Sequence, residues 1–357
     1  MGVERLELLR AFTQASGASG FEREARELLQ RELEPYVNEF TGDNLGSLIG
    51  KKRGTSETPR IMVAAHMDEI GFLVTTITEE GFLRFQSLGG WWEGVMLAQR
   101  VVVKTRQGDL PGVIGAKPPH VLGPEERKKI VEKKEMFIDI GARSADEAKE
   151  LGVRPGDPIL PASDFLPLGQ GRRILAKAWD DRVGCALLVE LARELGQRSH
   201  PNTVYAAGTV QEEVGLRGAK TAAEVINPDV ALVLDVSVAN DTPGMSEEPK
   251  EKLGKGTSLL IYDGSLLPNL ALRDLAWSVA EEQGIPFQYS ALGGGGTDAG
   301  RIHLHQQGVP SLVLSIPTRY IHSHAGVIDL DDYEATLRLL VELISRLDAA
   351  TVKGFKQ

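Results

Sequence analysis

The sequence predicts an α/β fold: a mostly parallel sheet covered by helices and interrupted by an inserted small β domain. Three observations lead there. Short, continuously apolar runs (Arg60 to Ala65, Val204 to Gln211, Val230 to Leu234, Ser311 to Ser315) are separated by segments with helical spacing of apolar residues, as expected for buried strands alternating with helices. From Gly71 to about Leu160 the texture changes to brief alternating runs broken by glycine, among them FLVTTI, RVVVKT and MFIDIGA. Finally, 357 residues are enough for two domains, one of which can interrupt the other.

In chain order, Leu6 to Ala15 and Glu22 to Val37 read as two helices parted by SGASG (Ser16 to Gly20), a break that carries a capping candidate. Asp43-Asn44-Leu45-Gly46 turns into a strand through Ile49, and the strand Arg60 to Ala65 ends at His66-Met67-Asp68-Glu69. Residues 69–164 are expected to form the insertion, leaving 1–68 and 165–357 as one discontinuous domain. Within the insertion, Trp91-Trp92 is expected in a core or an interface, and the charge-dense Gly123 to Glu135 in a solvated loop or exposed helix. Trp179-Asp180-Asp181-Arg182 then opens a helix, Val183 to Leu195. A short helix near Thr221, helices Asn269 to Gln283 and Asp331 to Ala349, and the glycine run Gly293 to Gly296 complete the pattern.

The chain is 42% hydrophobic and 25% charged, with a formal net charge of -10 and a pI near 5.4. An acidic balance disfavours nucleic acid or an anionic membrane as partner, and small molecules or peptides fit better. The single cysteine, Cys185, excludes an intrachain disulfide and a thiolate metal cluster, so an intracellular, cytoplasmic location is expected. The first residues lack the apolar core of a signal peptide. No apolar run approaches the ~18 residues needed to span a bilayer.

The chemistry is concentrated where apolar runs end. VYAAGTVQEEVGLRGAK delivers Glu212 and Glu213 side by side to a glycine-rich turn. Adjacent acids raise one another's pKa unless a cation offsets the charge. His66 with Asp68, Asp180 with Asp181, Asp235 and His322 occupy comparable places, and the carboxyl ends of strands in an open α/β sheet converge on ligands. Imidazole and carboxylate donors without thiolate suit zinc, cobalt or manganese, and this set is large enough for two ions. In His66-x-Asp68 the aspartate can hold the second ring nitrogen of the histidine. Each piece alone has a bland reading, as a surface pair, a helix cap or a turn residue; their succession does not. The Gly293 to Gly296 run lacks the residues of a Walker loop, and Cys185 reads as a small buried apolar residue. His200, His303 and His305 read as surface or turn residues.

The strings AAHMDEIGF, AWDDRVGC, TVQEEVGLRGA, LVLDVSVA, GGTDAGRI and PTRYIHS resemble, in this order, the M42 or tetrahedral aminopeptidases. That family includes glutamyl, leucyl and lysyl aminopeptidases and proteins labelled endoglucanase. The resemblance spans nearly the whole chain, including AKPPHV and FIDIGA in the insertion. It implies an aminopeptidase acting on peptide substrates with two divalent ions per subunit, zinc or cobalt, and assembly through the inserted β domain into a homo-oligomer, commonly a dodecamer. It also implies that Asp180 bridges the ions, that His66 and Asp235 complete one site, and that Glu213 and His322 complete the other. Glu212 would be the general base and Asp68 the partner of His66. Asp181 stands where relatives carry Asn or Asp, with a structural role. Gly296, Thr297 and Asp298 would wall the substrate pocket, and His120 would reach a neighbour's site. His324, two places after His322, departs from the family pattern. The rivals are a glycosidase, which needs two carboxyl groups and no metal, and a catalytically inactive metal-binding assembly protein.

Overall fold

The computed structural model describes residues 3–246, 248 and 250–355. Helices α1 (Val3–Gln14) and α2 (Arg23–Leu33) open the chain and bury Leu9, Phe12, Leu29 and Leu33. Strands β1 (Glu39–Gly42), β2 (Leu48–Arg53) and β3 (Arg60–His66) follow. Every residue of β3 after Arg60 is buried. Ile61, Val63 and Ala65 enter a core shared with α1 and α2, whereas Met62 and Ala64 enter a second core on the opposite face. A strand covered on both faces loses the polar alternation of a half-exposed one, which is why RIMVAA reads as a continuous apolar run.

Strands β4 (Gly71–Ile77), β5 (Leu83–Leu88), β6 (Arg100–Thr105), β7 (Gly108–Gly115), β8 (Phe137–Asp139) and β9 (Pro158–Pro161), with helix α3 (Ala145–Glu150) before the last, come next. The six strands close into a barrel in the order β4-β5-β8-β7-β6-β9. Its interior takes alternate residues: Phe72 and Val74, Leu83 and Phe85, Val101 and Val103, Ile114, Ile138 and Ile159. Trp91 stacks on Phe72 with ring centroids 4.5 Å apart, while Trp92 is exposed. The charge-dense segment forms two short 3-10 turns, Glu126–Lys128 and Lys133–Glu135, with no buried residue.

The rest of the chain contributes β10 (Leu166–Leu168), β11 (Arg173–Ala176), α4 (Trp179–Leu195), β12 (Thr203–Thr209), α5 (Arg217–Ile226), β13 (Val230–Val238), β14 (Thr257–Tyr262), α6 (Leu270–Glu282), β15 (Phe287–Ala291), α7 (Ala299–Ile302), β16 (Ser311–Thr318), β17 (Gly326–Asp329), α8 (Leu330–Arg346) and α9 (Ala349–Lys353). Among the described residues the main sheet has eight strands, in the order β1-β2-β12-β3-β13-β16-β14-β15. Its centre is parallel, β12 against β3, β3 against β13 and β13 against β16. Residues of α1, α2, α4, α6 and α8 line one core and residues of α5 and α7 the other. The N-termini of α6 and α8 are capped by Asn269 and Asp329, whose side chains accept from Leu272 and Asp331 N–H, satisfying donors that a helix start leaves free.

Two strand ends differ from the sequence reading. The run predicted to reach Gln211 stops at Thr209, where the β12 to β3 register ends at the Thr209 and His66 pair. With no further ladder, Gln211 turns into a left-handed conformation, φ 56. Glu212 and Glu213 therefore sit on a loop rather than a strand end, and strand alternation does not set their directions. Conversely β13 runs past Leu234 to Val238, because β16 continues beside it as far as Thr318. Asp235 is thus held within a ladder, opposite Ser315.

Candidate metal centre

The parallel order of β12, β3, β13 and β16 brings their carboxyl ends to one edge. His66 closes β3, Glu212 and Glu213 follow β12, Asp235 lies in β13, and His322 follows β16. Asp180 enters from the kinked start of α4, where the Asp180 to Asp181 peptide is cis. Asp181 fastens this turn, its Oδ2 accepting the His66 N–H at 3.1 Å and its Oδ1 the Gly184 N–H at 3.1 Å.

Asp180 stands between the two histidines. Its Oδ1 is 2.9 Å from His66 Nε2, and its Oδ2 is 3.2 Å from His322 Nε2. His322 Nε2 is also 3.4 Å from Glu213 Oε1, an oxygen that is buried without a hydrogen-bond partner. Ligand-capable atoms of His66, Asp180 and Glu213 lie within 4.8 Å of one another, and so do those of His66, Glu212 and Asp235. These nitrogen and carboxylate donors fit borderline divalent cations. His120 is separate, exposed in the connection between β7 and β8.

Asp68 lies beside the second ring nitrogen of His66, and it also makes contacts that the sequence does not show. His66 Nδ1 is 3.0 Å from the Asp68 main-chain oxygen and 3.5 Å from its carboxylate. The carboxylate, fully buried, also accepts from the N–H groups of Glu212 at 3.0 Å and Glu213 at 3.2 Å and from the Ser19 hydroxyl at 2.6 Å. One aspartate thus orients the first histidine and anchors both glutamates.

The centre gathers more carboxylates than cationic side chains. Burial pushes the carboxyls of Glu212, Asp235 and Asp181 well above the usual range, and neighbouring acids add to the push. Burial would lower the His322 imidazole, yet the carboxylates of Asp180 and Glu213 beside it push it up to about 11. Asp180 is held low against its burial by the same two histidines. A site that binds a proton this firmly at a histidine is one in which carboxylates outnumber positive charges.

Of the predicted pocket residues, Gly296 is exposed, Thr297 half-buried and Asp298 fully enclosed. Asp298 does not face an open cleft: its Oδ2 meets the Thr209 hydroxyl and its Oδ1 is buried without a partner. Thr209 has one hydroxyl proton and a second acceptor, the Ala65 carbonyl at 3.2 Å, so both contacts are satisfied when Asp298 carries the other proton. Burial accordingly pushes its carboxyl up to about 6. His324 lies outside the carboxylate cluster, edge-on to Trp91 at 5.2 Å with neither ring nitrogen paired, which places His322 in the centre. His200, His303 and His305 bond to Asn202, the Ala299 carbonyl and Asn227.

Sequence reasoning missed Arg182. Fully buried, it donates to the carbonyls of Met67, Phe12, Ala15 and Gly17 at 2.6 to 3.2 Å, tying α1 and the segment after His66 to α4. It also missed Gly89 and Gly90, where the barrel meets the centre. A Cβ on Gly89 would lie 3.0 Å from Glu213 Oε2, and one on Gly90 3.0 Å from His322 Nδ1. The doubled glycine in SLGGWW was the available signal.

Residues 46–339 match the M42 glutamyl aminopeptidase family. The chain belongs to the M42 aminopeptidases. It is 51% identical to a TET aminopeptidase of a marine sediment archaeon, Thaumarchaeota archaeon SCGC AB-539-E09, over 99% of both chains with a TM-score of 0.97. It is 37% identical to the glutamyl aminopeptidase of Lactococcus lactis, again over 99% of both. The TET1 peptidase of Pyrococcus horikoshii, which can assemble into a tetrahedron or a large octahedral shell, is 38% identical with a TM-score of 0.86, covering 96% of this chain and 100% of its own. Like other M42 members, this protein is a peptide hydrolase. Among the described residues, no helix is long and apolar enough to cross a membrane.

Proposed function

We propose that this M42 aminopeptidase removes N-terminal residues from peptides through a dinuclear centre of zinc or cobalt, with Glu212 as the general base. The observation that carries the reading is the split use of Asp180, one carboxylate oxygen facing His66 and the other His322, as a bridging ligand requires. His66 and Asp235 would hold one ion, Glu213 and His322 the other. Divalent ions there would supply Lewis acidity and bring the pKa of water toward neutrality.

Glu212 is buried beside His66 and Asp235, with a carboxyl raised by burial. It is suited to accept a proton from water and to return it to the departing amine. Asp68 holds Glu212 and Glu213 in register through their N–H groups. Gly296 and Thr297 would line the substrate side, with Asp298 behind them. We further assign 69–164 to assembly, into a homo-oligomer that is dodecameric by analogy with the TET relatives, with His120 reaching toward a neighbour. We also assign a cytoplasmic location, on which the one buried cysteine bears.

Paired variants test the reading. Glu213→Gln should lose one ion on dialysis, with turnover partly restored by excess metal. Glu212→Gln should keep both ions while turnover falls at least ~100-fold, as for a lost general base. Metal content and turnover measured together decide it: near-normal turnover in both variants, or activity that survives complete chelation as a metal-free glycosidase would, overturns the proposal.

A further inference from the structure

The loop between α1 and α2 reaches the glutamate pair from outside the metal centre. Glu22, 6% exposed, accepts at its Oε1 from the Gly20 N–H at 2.7 Å and from the Gln211 N–H at 3.1 Å. Gln211 is the left-handed residue immediately before Glu212. From the same loop, the Ser19 hydroxyl bonds to the Asp68 carboxylate that holds the next two N–H groups. Three consecutive N–H groups, at Gln211, Glu212 and Glu213, therefore end on two buried carboxylates.

The loop is itself fixed. Glu69 N–H and an Arg182 guanidinium nitrogen both donate to the Gly17 carbonyl, at 2.9 and 3.2 Å, and Ala18 bridges to Glu69. A Cβ on Gly17 would come within 2.7 Å of that guanidinium. Burying Glu22 near Asp68 carries a cost, visible in a carboxyl raised by burial and by Asp68. A buried acid in such surroundings is costly unless its bonds compensate, and here they hold a backbone conformation that side chains other than glycine adopt reluctantly.

We propose that Glu22 is a positioning residue for the catalytic glutamates: its bond to the Gln211 N–H holds the turn that aims Glu212, with Ser19 acting in parallel through Asp68. The proposal rests on reading Glu212 as the base. Misplacement of a catalytic group by about 1 Å costs on the order of 100-fold, so a loosened turn should appear in turnover rather than in substrate binding.

The test compares Glu22→Ala with Glu22→Gln in the full-length protein. Hydrogen exchange of the amides of 211–213, measured on metal-free protein, should rise at least ~10-fold in Glu22→Ala and stay near the parent in Glu22→Gln, whose amide oxygen still accepts. With both metals loaded, Glu22→Ala should lose roughly 10- to 100-fold in kcat at unchanged KM and unchanged metal content. Glu22→Gln should recover most of it. Unchanged exchange in Glu22→Ala, or raised exchange with parental kcat, overturns the proposal, as does a loss that only tracks missing metal. Should Glu22→Ala fail to fold, Ser19→Ala must raise exchange at 212 and 213, and no rise there overturns it equally. If Glu212→Gln keeps its turnover, the base assignment falls while the exchange result still judges the positioning.

Discussion

Gly90→Ala tests how the barrel and the metal centre depend on each other. Gly90 is not among the residues with positive φ, so adding a methyl imposes a steric effect without backbone strain. The new Cβ would lie 3.0 Å from His322 Nδ1 and 3.3 Å from its Cε1, where ordinary contact begins near 3.4 Å. The ring, or the loop bearing it, must therefore withdraw by roughly 0.4 Å (3.4 − 3.0), about twice the ~0.2 Å that ligand distances tolerate. His322 Nε2 is the atom facing Asp180 and Glu213, so the withdrawal would fall on the ion that the proposed assignment gives to those residues. Loss of support of this kind typically lowers metal affinity ~10- to 100-fold. The expected outcome of metal titration after chelation is one ion bound as in the parent and a second bound correspondingly more weakly, with turnover restored by excess metal. Two ions bound with parental affinity would refute the idea that the insertion packs tightly enough on His322 to govern its position.

Three further outcomes are expected. Arg182→Met removes the guanidinium from four carbonyls, of which Gly17 keeps the Glu69 N–H, and from the Glu69 carboxylate, 3.5 Å away, which keeps Lys177, so chemical denaturation should show a loss of about 3 to 5 kcal/mol; a loss below about 1 kcal/mol would contradict it. Asp298 has a folded-state pKa raised from 3.8 to about 6, so the folded protein binds the extra proton across that window and stability falls as pH rises through it. Metal-free Asp298→Asn should show a flatter pH dependence of melting temperature over that interval than the parent, and identical slopes would count against a protonated Asp298. An N-acetylated peptide should be hydrolysed far more slowly than its free counterpart, and equal rates would exclude recognition of a free amino terminus.

Much of this protein was legible as pattern. Apolar runs such as RIMVAA and ALVL mark strands because burial on both faces removes polar alternation, and the acids and histidines at their ends mark the site because parallel strands share one carboxyl edge. His66, Asp180, Glu212, Glu213, Asp235 and His322 could be picked out on that basis together with the resemblance. The loop position of Glu212 and Glu213 could not, since it depends on where the β12 ladder runs out beside His66. Nor could the engagement of Asp68 with main-chain N–H groups be read, because hydrogen bonds from residues far apart in sequence leave no periodicity.

The sequence by itself determined the element order, the acidic and nearly cysteine-free chemistry, and the identities of the groups able to hold metal. These follow from local spacing and side-chain type. Only the tertiary structure decided which oxygen of Asp180 faces which histidine, which of His322 and His324 lies beside the carboxylates, that Gly89 and Gly90 approach Glu213 and His322, and that Ser19, Glu22 and Arg182 bond to the segments around Asp68 and Gln211. The physical reason is that a donor, an acceptor or a missing Cβ acquires its role from what the fold places within about 3 Å of it.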